Sequence, residues 1–219
     1  MPYLNAASHS ALTSSIGQTM PSLYASTKSV FLSDAPFLAG LPNPLIALAF
    51  SSIVAFDHAA YGPNADMTLP GLLGAPTLNC DDYCVLTARL ADIIAGSGPS
   101  AQAAIVGWNG GAVGNHAQIL AKYAGQYLLL DPTIGFIAKD VTLSGLCRGF
   151  PPVSGGYRSF FTPFQSSRTN LTSFDIKVRD AVLSGKYMAE DLLYFFPSYS
   201  EYLASPGSAQ WATPQGWNL

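Results

Sequence analysis

The stretch HAQILAKYAGQYLLLDP, residues 116–132, constrains the fold more than any other part of the chain. Two apolar, β-prone runs, HAQILAKYA (116–124) and QYLLLD (126–131), stand so close together that they must double back on each other. If Ala124 and Gly125 form a two-residue loop, Tyr123 faces Gln126, and at the far end Gln118 faces Asp131. His116 then lies two residues along on the same face as Asp131. That diagonal is about 7–8 Å between backbones, within reach of an imidazole–carboxylate hydrogen bond. A three-residue loop would reverse the parity and put His116 and Asp131 on opposite faces.

A chain of 219 residues can bury one good core. Hydrophobic residues make up 49% and charged residues 11%, the latter about half of what a soluble domain usually carries. So little charge implies an apolar surface for a protein partner or a greasy substrate site. The net charge is −3 and no cluster of Lys or Arg occurs, which excludes nucleic acid as a partner. The amino terminus lacks the pattern of a signal peptide. The longest charge-free run, between Asp34 and Asp57, is broken by Leu41-Pro42-Asn43-Pro44 and is too short to span a bilayer. A cytoplasmic protein without a membrane span is expected. Its three cysteines, Cys80, Cys84 and Cys147, suit free thiols rather than a disulfide framework.

Along the chain, residues 1–42 read as an irregular or partly helical N-terminal arm, and 43–219 as one domain. Asn43-Pro44 suits a helix start, with Asn43 as the cap, and LIALAFSSIVAFDHA is apolar all round, hence buried. Residues 59–78, rich in Pro and Gly, read as a long loop. NCDDYCVLTARLADIIAG (79–96) reads as a helix capped by Asn79, with Asp82 in the capping-box position and Gly96 closing it. A further strand, 101–108, ends at Trp108. A Gly-rich loop over 109–115 lacks the Lys of a phosphate loop. Residues 139–172 read as turns and short strands, and 174–196 as a helix with Asp175, Lys177, Arg179 and Asp180 wet and Val178, Val182, Leu192 and Tyr194 buried. The tail is read as a strap anchored by Trp211 and Trp217.

Cys80 opens the 79–96 helix, where backbone amides and the helix dipole favour a thiolate and could also receive an oxyanion. With His116 as base and Asp131 as its orienter, the chain offers a nucleophilic set in the order Cys, His, Asp. The bland reading of Cys80 is a buried thiol, and that is the expected fate of Cys84 one turn later. A third reading is a zinc site drawn from Cys80, Cys84, His116 and either His58 or Asp131, although Cys-x₃-Cys without a second cysteine pair is a weak signal. His58 also reads as an ordinary helix-end histidine. Tyr61 either donates to an oxyanion or packs; Trp108 either packs or lines the cleft.

The motifs Leu78-Asn79-Cys80-Asp81-Asp82-Tyr83-Cys84-Val85-Leu86, His116-Ala117-Gln118 and Tyr127-Leu128-Leu129-Leu130-Asp131-Pro132-Thr133 resemble those of the transglutaminase-like branch of the papain-like cysteine enzymes. That family carries Gly-x-Cys-x-Asp, His-Ala-Trp on a strand and Trp-x-x-x-Asp-Pro-Thr, and many bacterial members have an aromatic residue where Tyr61 stands. Leu78, Gln118 and Tyr127 depart from it. The resemblance covers about residues 45–138. It implies an α+β fold with a papain-like core, the catalytic helix packed on an antiparallel β-sheet and a C-terminal helix added. It also implies acyl transfer at a peptide-like amide through a Cys80 thioester, ending in hydrolysis or in transfer to an amine, with no cofactor. Cys80, His116 and Asp131 would be catalytic, and Tyr61, Asn79, Trp108 and Gln118 would be oxyanion or substrate contacts. The rival is a catalytically silent module that keeps the fold and binds a partner.

Overall fold

A computed structural model describes residues 6–108, 114–141, 158–161, 176–178, 180, 193–196 and 198–204. The architecture is mixed helix and antiparallel sheet, in agreement with the α+β expectation. Helix α1 (Ala6–Asp34) and a short 3-10 turn lead into α2 (Asn43–His58). Strand β1 (Ala60–Tyr61), α3 (Leu69–Gly74), β2 (Thr77–Leu78) and α4 (Cys80–Ala95) follow. Strands β3 (Gln102–Trp108), β4 (His116–Tyr123), β5 (Gln126–Asp131), β6 (Phe136–Lys139), β7 (Arg158–Phe161) and β8 (Leu193–Phe196) form one sheet, and α5 (Tyr199–Ala204) is the last element among the described residues.

The sheet order is β7-β6-β5-β4-β3-β8, antiparallel throughout. Ala124 and Gly125 make the two-residue turn of the β4–β5 hairpin, with φ of 49° and 76°. Positive φ at both central positions gives a turn whose twist matches the strands it joins. Tyr123 accordingly pairs with Gln126 and Ile119 with Leu130, the register expected from the sequence.

Helix α2 is buried along its entire length from Leu45 to His58, as its all-round apolar sequence requires. It packs against α4, and both lie on β4. Ile119, Ala121, Leu128 and Leu130 join the helices in one core, while the alternating Leu120 and Leu129 are equally buried. Both faces of the sheet are therefore covered here. Full burial of a Leu or Phe of this kind stabilises the fold by roughly 1.5–3 kcal/mol.

Several expectations need correction. Of the two expectations for the N-terminal arm, irregular or partly helical, the helical one holds and is exceeded, since Ala6–Asp34 is helix. It is broken at Ser15, where φ/ψ of −153°/55° leave the helical region. Leu12, Met20 and Phe31 of α1 are fully buried in the same core, and the Phe31 ring meets Phe50 edge-on at 5.6 Å. Asn43 is not the cap of α2 but its first residue; Pro42 precedes it in the cap position. The Asn43 Oδ1 instead accepts from Tyr24 Oη at 2.8 Å and Lys28 Nζ at 2.6 Å, tying α1 to α2. Residues 59–78 are not a structureless loop. Thr68 caps α3 by accepting from the Gly71 amide at 3.2 Å, and β1 and β2 pair in parallel. Finally, the stretch 174–196 is not one helix. Residues 176–178 and Asp180 are helical, but Leu193–Phe196 adds to the open edge of β3 as β8. Three β-forming aromatics in succession, the YFF of LYFF, favour an unpaired sheet edge over extending a helix. Within that stretch Val178 is buried and Lys177 exposed as expected; Asp175, Arg179, Val182 and Leu192 lie outside the described residues, as do Cys147, Trp211 and Trp217.

Among the described residues no helix is long and apolar enough to cross a membrane. The large apolar side chains standing exposed among the described residues are Val30 and Ile176.

Candidate active site

Helix α4 starts where the sequence indicates. Asn79 Oδ1 accepts from the Asp81 and Asp82 amides at 3.1 and 3.0 Å, and Asp82 Oδ2 accepts from the Asn79 amide at 3.0 Å. This reciprocal capping box sets the position of Cys80 in the first turn. The chain entering that turn is also held from outside. Gly62 N–H donates to Leu78 O at 3.0 Å, and the buried Tyr83 hydroxyl donates to Ala59 O at 2.6 Å. A Cβ on Gly62 would lie 2.8 Å from Thr77 Cβ, so the close approach of β1 to β2 requires glycine there.

Cys80 is half-buried and Cys84 fully buried, and both thiols are free. Burial pushes the Cys84 thiol well up, and the neighbouring Cys80, Asp131, Asp81 and Asp82 charges push it further. Cys84 is thus the inert core residue expected of it.

His116 and Asp131 meet as the hairpin register demands. His116 Nε2–H donates to Asp131 Oδ2 at 2.8 Å, with both side chains withdrawn from solvent. Asp131 also accepts from Gln118 Nε2 at 2.8 Å and, through Oδ1, from the Thr133 amide at 3.1 Å. The last contact is the local Asx geometry that Asp-Pro-Thr favours. Burial by itself pushes the His116 imidazole down. The Asp131 charge and hydrogen bond outweigh it, joined by a hydrogen bond and charge interaction with Cys80, and the group is raised to about 10. The Cys80 side chain at the head of α4 thus acts on the imidazole together with Asp131, and in the same upward direction.

The remaining candidates divide. Gln118, expected at the substrate groove, is fully buried and orients Asp131 instead. Asn79 spends its side-chain oxygen on the cap. The Asp81, Asp82 and Tyr83 amides of the first turn are all bonded to Asn79. Tyr61 is half-buried on β1 opposite Leu78, two residues before Cys80. Trp108 ends β3 opposite His116, and its side chain lies outside what is described. His58 donates from or accepts at Nε2, and the partner at 3.0 Å is the Leu73 carbonyl, so the ring nitrogen donates; it is an ordinary helix-end histidine. No three metal-ligating side chains converge among the described residues, so the zinc grouping is not assembled there.

One neighbour was missed entirely. The Tyr202 hydroxyl of α5 donates to Asp81 Oδ2, across 121 residues of chain. Nothing in the local pattern of SYSEYLASP marks a residue that docks beside Cys80, because the contact joins segments far apart in the chain.

Comparison with models of known protein families, with curated proteins and with solved structures gives no match.

Proposed function

We propose that the protein is a cysteine-dependent acyl-transfer enzyme of papain-like, transglutaminase-like type, acting on a peptide-like amide through a thioester on Cys80. The observation that carries this reading is the buried 2.8 Å His116–Asp131 pair adjoining the thiol at the start of α4. The sequence resemblance to transglutaminase-like enzymes points the same way.

In this reading the Cys80 thiolate attacks the amide carbonyl, forming the C–S bond and a tetrahedral oxyanion. His116, which has taken the thiol proton, returns it to the departing nitrogen as the C–N bond breaks. With Nε2 engaged by Asp131, that exchange falls to Nδ1. Asp131 holds the ring orientation and stabilises the imidazolium, as the acid of a triad does. Water or an amine then attacks the thioester, His116 accepts its proton, and the thiol leaves. Water makes the protein an amidase or protease; an amine makes it an amide-forming transferase. The free thiols of Cys80 and Cys84 agree with a cytoplasmic setting.

The test is the rate of iodoacetamide labelling against pH, with the modified cysteine located by mass spectrometry, in wild type and His116→Ala. Fast labelling of Cys80 below neutral pH, lost in the variant, supports the enzyme and justifies screening amide substrates. Slow labelling indifferent to His116 would sink it and leave the silent binding module.

A further inference from the structure

The reactive turn of α4 contains a contradiction that the catalytic reading must resolve. Cys80 has to carry negative charge, yet the next residue is Asp81, half-buried, and Asp82 follows, buried outright. Carboxylates this close disfavour a thiolate. Burial raises the Asp82 carboxyl above the usual range, against the pull of the Asn79 amide. Asp81 has a different partner, the Tyr202 hydroxyl.

Helix α5 is held against α4 at two points. Tyr199 Oη donates to Asp92 Oδ2 at 2.8 Å near the end of α4, and Tyr202 donates to Asp81 at its beginning. Tyr199, Tyr202 and Leu203 pack against the common core. These two phenol–carboxylate contacts are chemically alike, but one lies beside the thiol and the other about three turns away. Among the described residues, Cys80 interacts with Cys84 of α4, His116 of β4 and Tyr202 of α5, and Asp81 and Asp82 follow it in the chain. Burial, Asp81 and the negative forms of Cys84 and Cys80 all push the Tyr202 phenol up, so it stays a hydrogen-bond donor throughout the working range.

We propose that Tyr202 is a positioning residue for the nucleophile: by donating to Asp81 it offsets the charge that would otherwise oppose a thiolate at Cys80. The proposal rests on Cys80 being the nucleophile. It makes α5 a component of the active site, placed beside the sheet by the pairing of β8 with β3.

The experiment measures iodoacetamide labelling of Cys80 at pH 6.5 in the full chain, for wild type, Tyr202→Phe, Tyr199→Phe, Asp81→Asn and the Tyr202→Phe/Asp81→Asn double variant. Tyr202→Phe is expected to slow labelling by about 3- to 10-fold. The double variant should return to within about 2-fold of wild type, because the charge that needed offsetting is gone. Tyr199→Phe, which removes the other phenol–carboxylate contact of α5, should stay within about 2-fold. Equal slowing by both tyrosine variants, slowing that Asp81→Asn does not relieve, or no slowing by Tyr202→Phe would each overturn the proposal. Should Tyr202→Phe fail to fold, Asp81→Asn alone decides: labelling at least as fast as wild type is expected, and slower labelling overturns it. An unreactive wild type indifferent to His116→Ala removes the nucleophile itself, whereas a reactive wild type with an indifferent Tyr202→Phe removes only the role of Tyr202.

Discussion

His116 Nε2 donates to Asp131 Oδ2 at 2.8 Å across the β4–β5 hairpin, and the same oxygen receives Gln118 Nε2 at 2.8 Å. One carboxylate oxygen thus collects two side chains from alternate positions of a single strand. The arrangement exists because Ala124-Gly125 turns the chain in two residues, which fixes the parity of everything beyond it.

Replacing Asp131 by Asn preserves the shape of that contact and removes its charge. The imidazole then keeps its burial penalty without the compensating carboxylate, so its cationic form is lost near neutrality. Cys80 labelling at pH 6.5 should fall by about 10²-fold or more, in line with what loss of a triad carboxylate costs elsewhere. A nitrogen-detected titration of the His116 ring in both proteins checks the cause. Unchanged titration in Asp131→Asn would reject it.

Stability should fall as the solution becomes alkaline. The folded His116 is raised to about 10 from an ordinary 6.5, so the folded state binds the extra proton between those values. Its contribution is complete below about 6.5 and is lost as pH rises through about 10. The urea midpoint should therefore drop from pH 6 to pH 9.5, by on the order of 1–3 kcal/mol in unfolding free energy. In Asp131→Asn the slope over that window should flatten. A wild-type midpoint level across the window would show that the pair does not hold the proton.

The cap of α4 couples stability to reactivity. Asn79→Ala leaves the Asp81 and Asp82 amides without their acceptor and should destabilise the protein by about 1 kcal/mol, while Asn79→Ser should retain most of the cap. Denaturant unfolding of the two variants measures the difference. Equal stability of the Ala and Ser variants would mean that the cap contributes nothing net.

Much of this was legible in the residues because the interactions involved are local. Asn79 with Asp82 spells a capping box within four residues, and the hairpin brings His116 to Asp131 through fifteen residues of alternating side chains and one short turn. Periodicity and turn chemistry operate over such distances without help from the rest of the fold. Where a second segment decides, the sequence misled. Asn43 is a good cap in isolation, yet its side chain serves Tyr24 and Lys28 of α1. Gln118 belongs by pattern to a substrate groove, but the burial of its strand leaves Asp131 as its partner.

The order Cys80, His116, Asp131, the helix that carries the thiol and the register that pairs the other two were determined by the sequence itself. Only tertiary structure decided that α1 belongs to the core, that Leu193–Phe196 becomes the edge strand beside β3, and that Tyr202 reaches Asp81. The physical reason is range. Caps, turns and strand alternation are settled within a few residues, whereas an open sheet edge or a half-buried carboxylate selects its partner from whatever distant segment the folded chain brings within hydrogen-bonding distance.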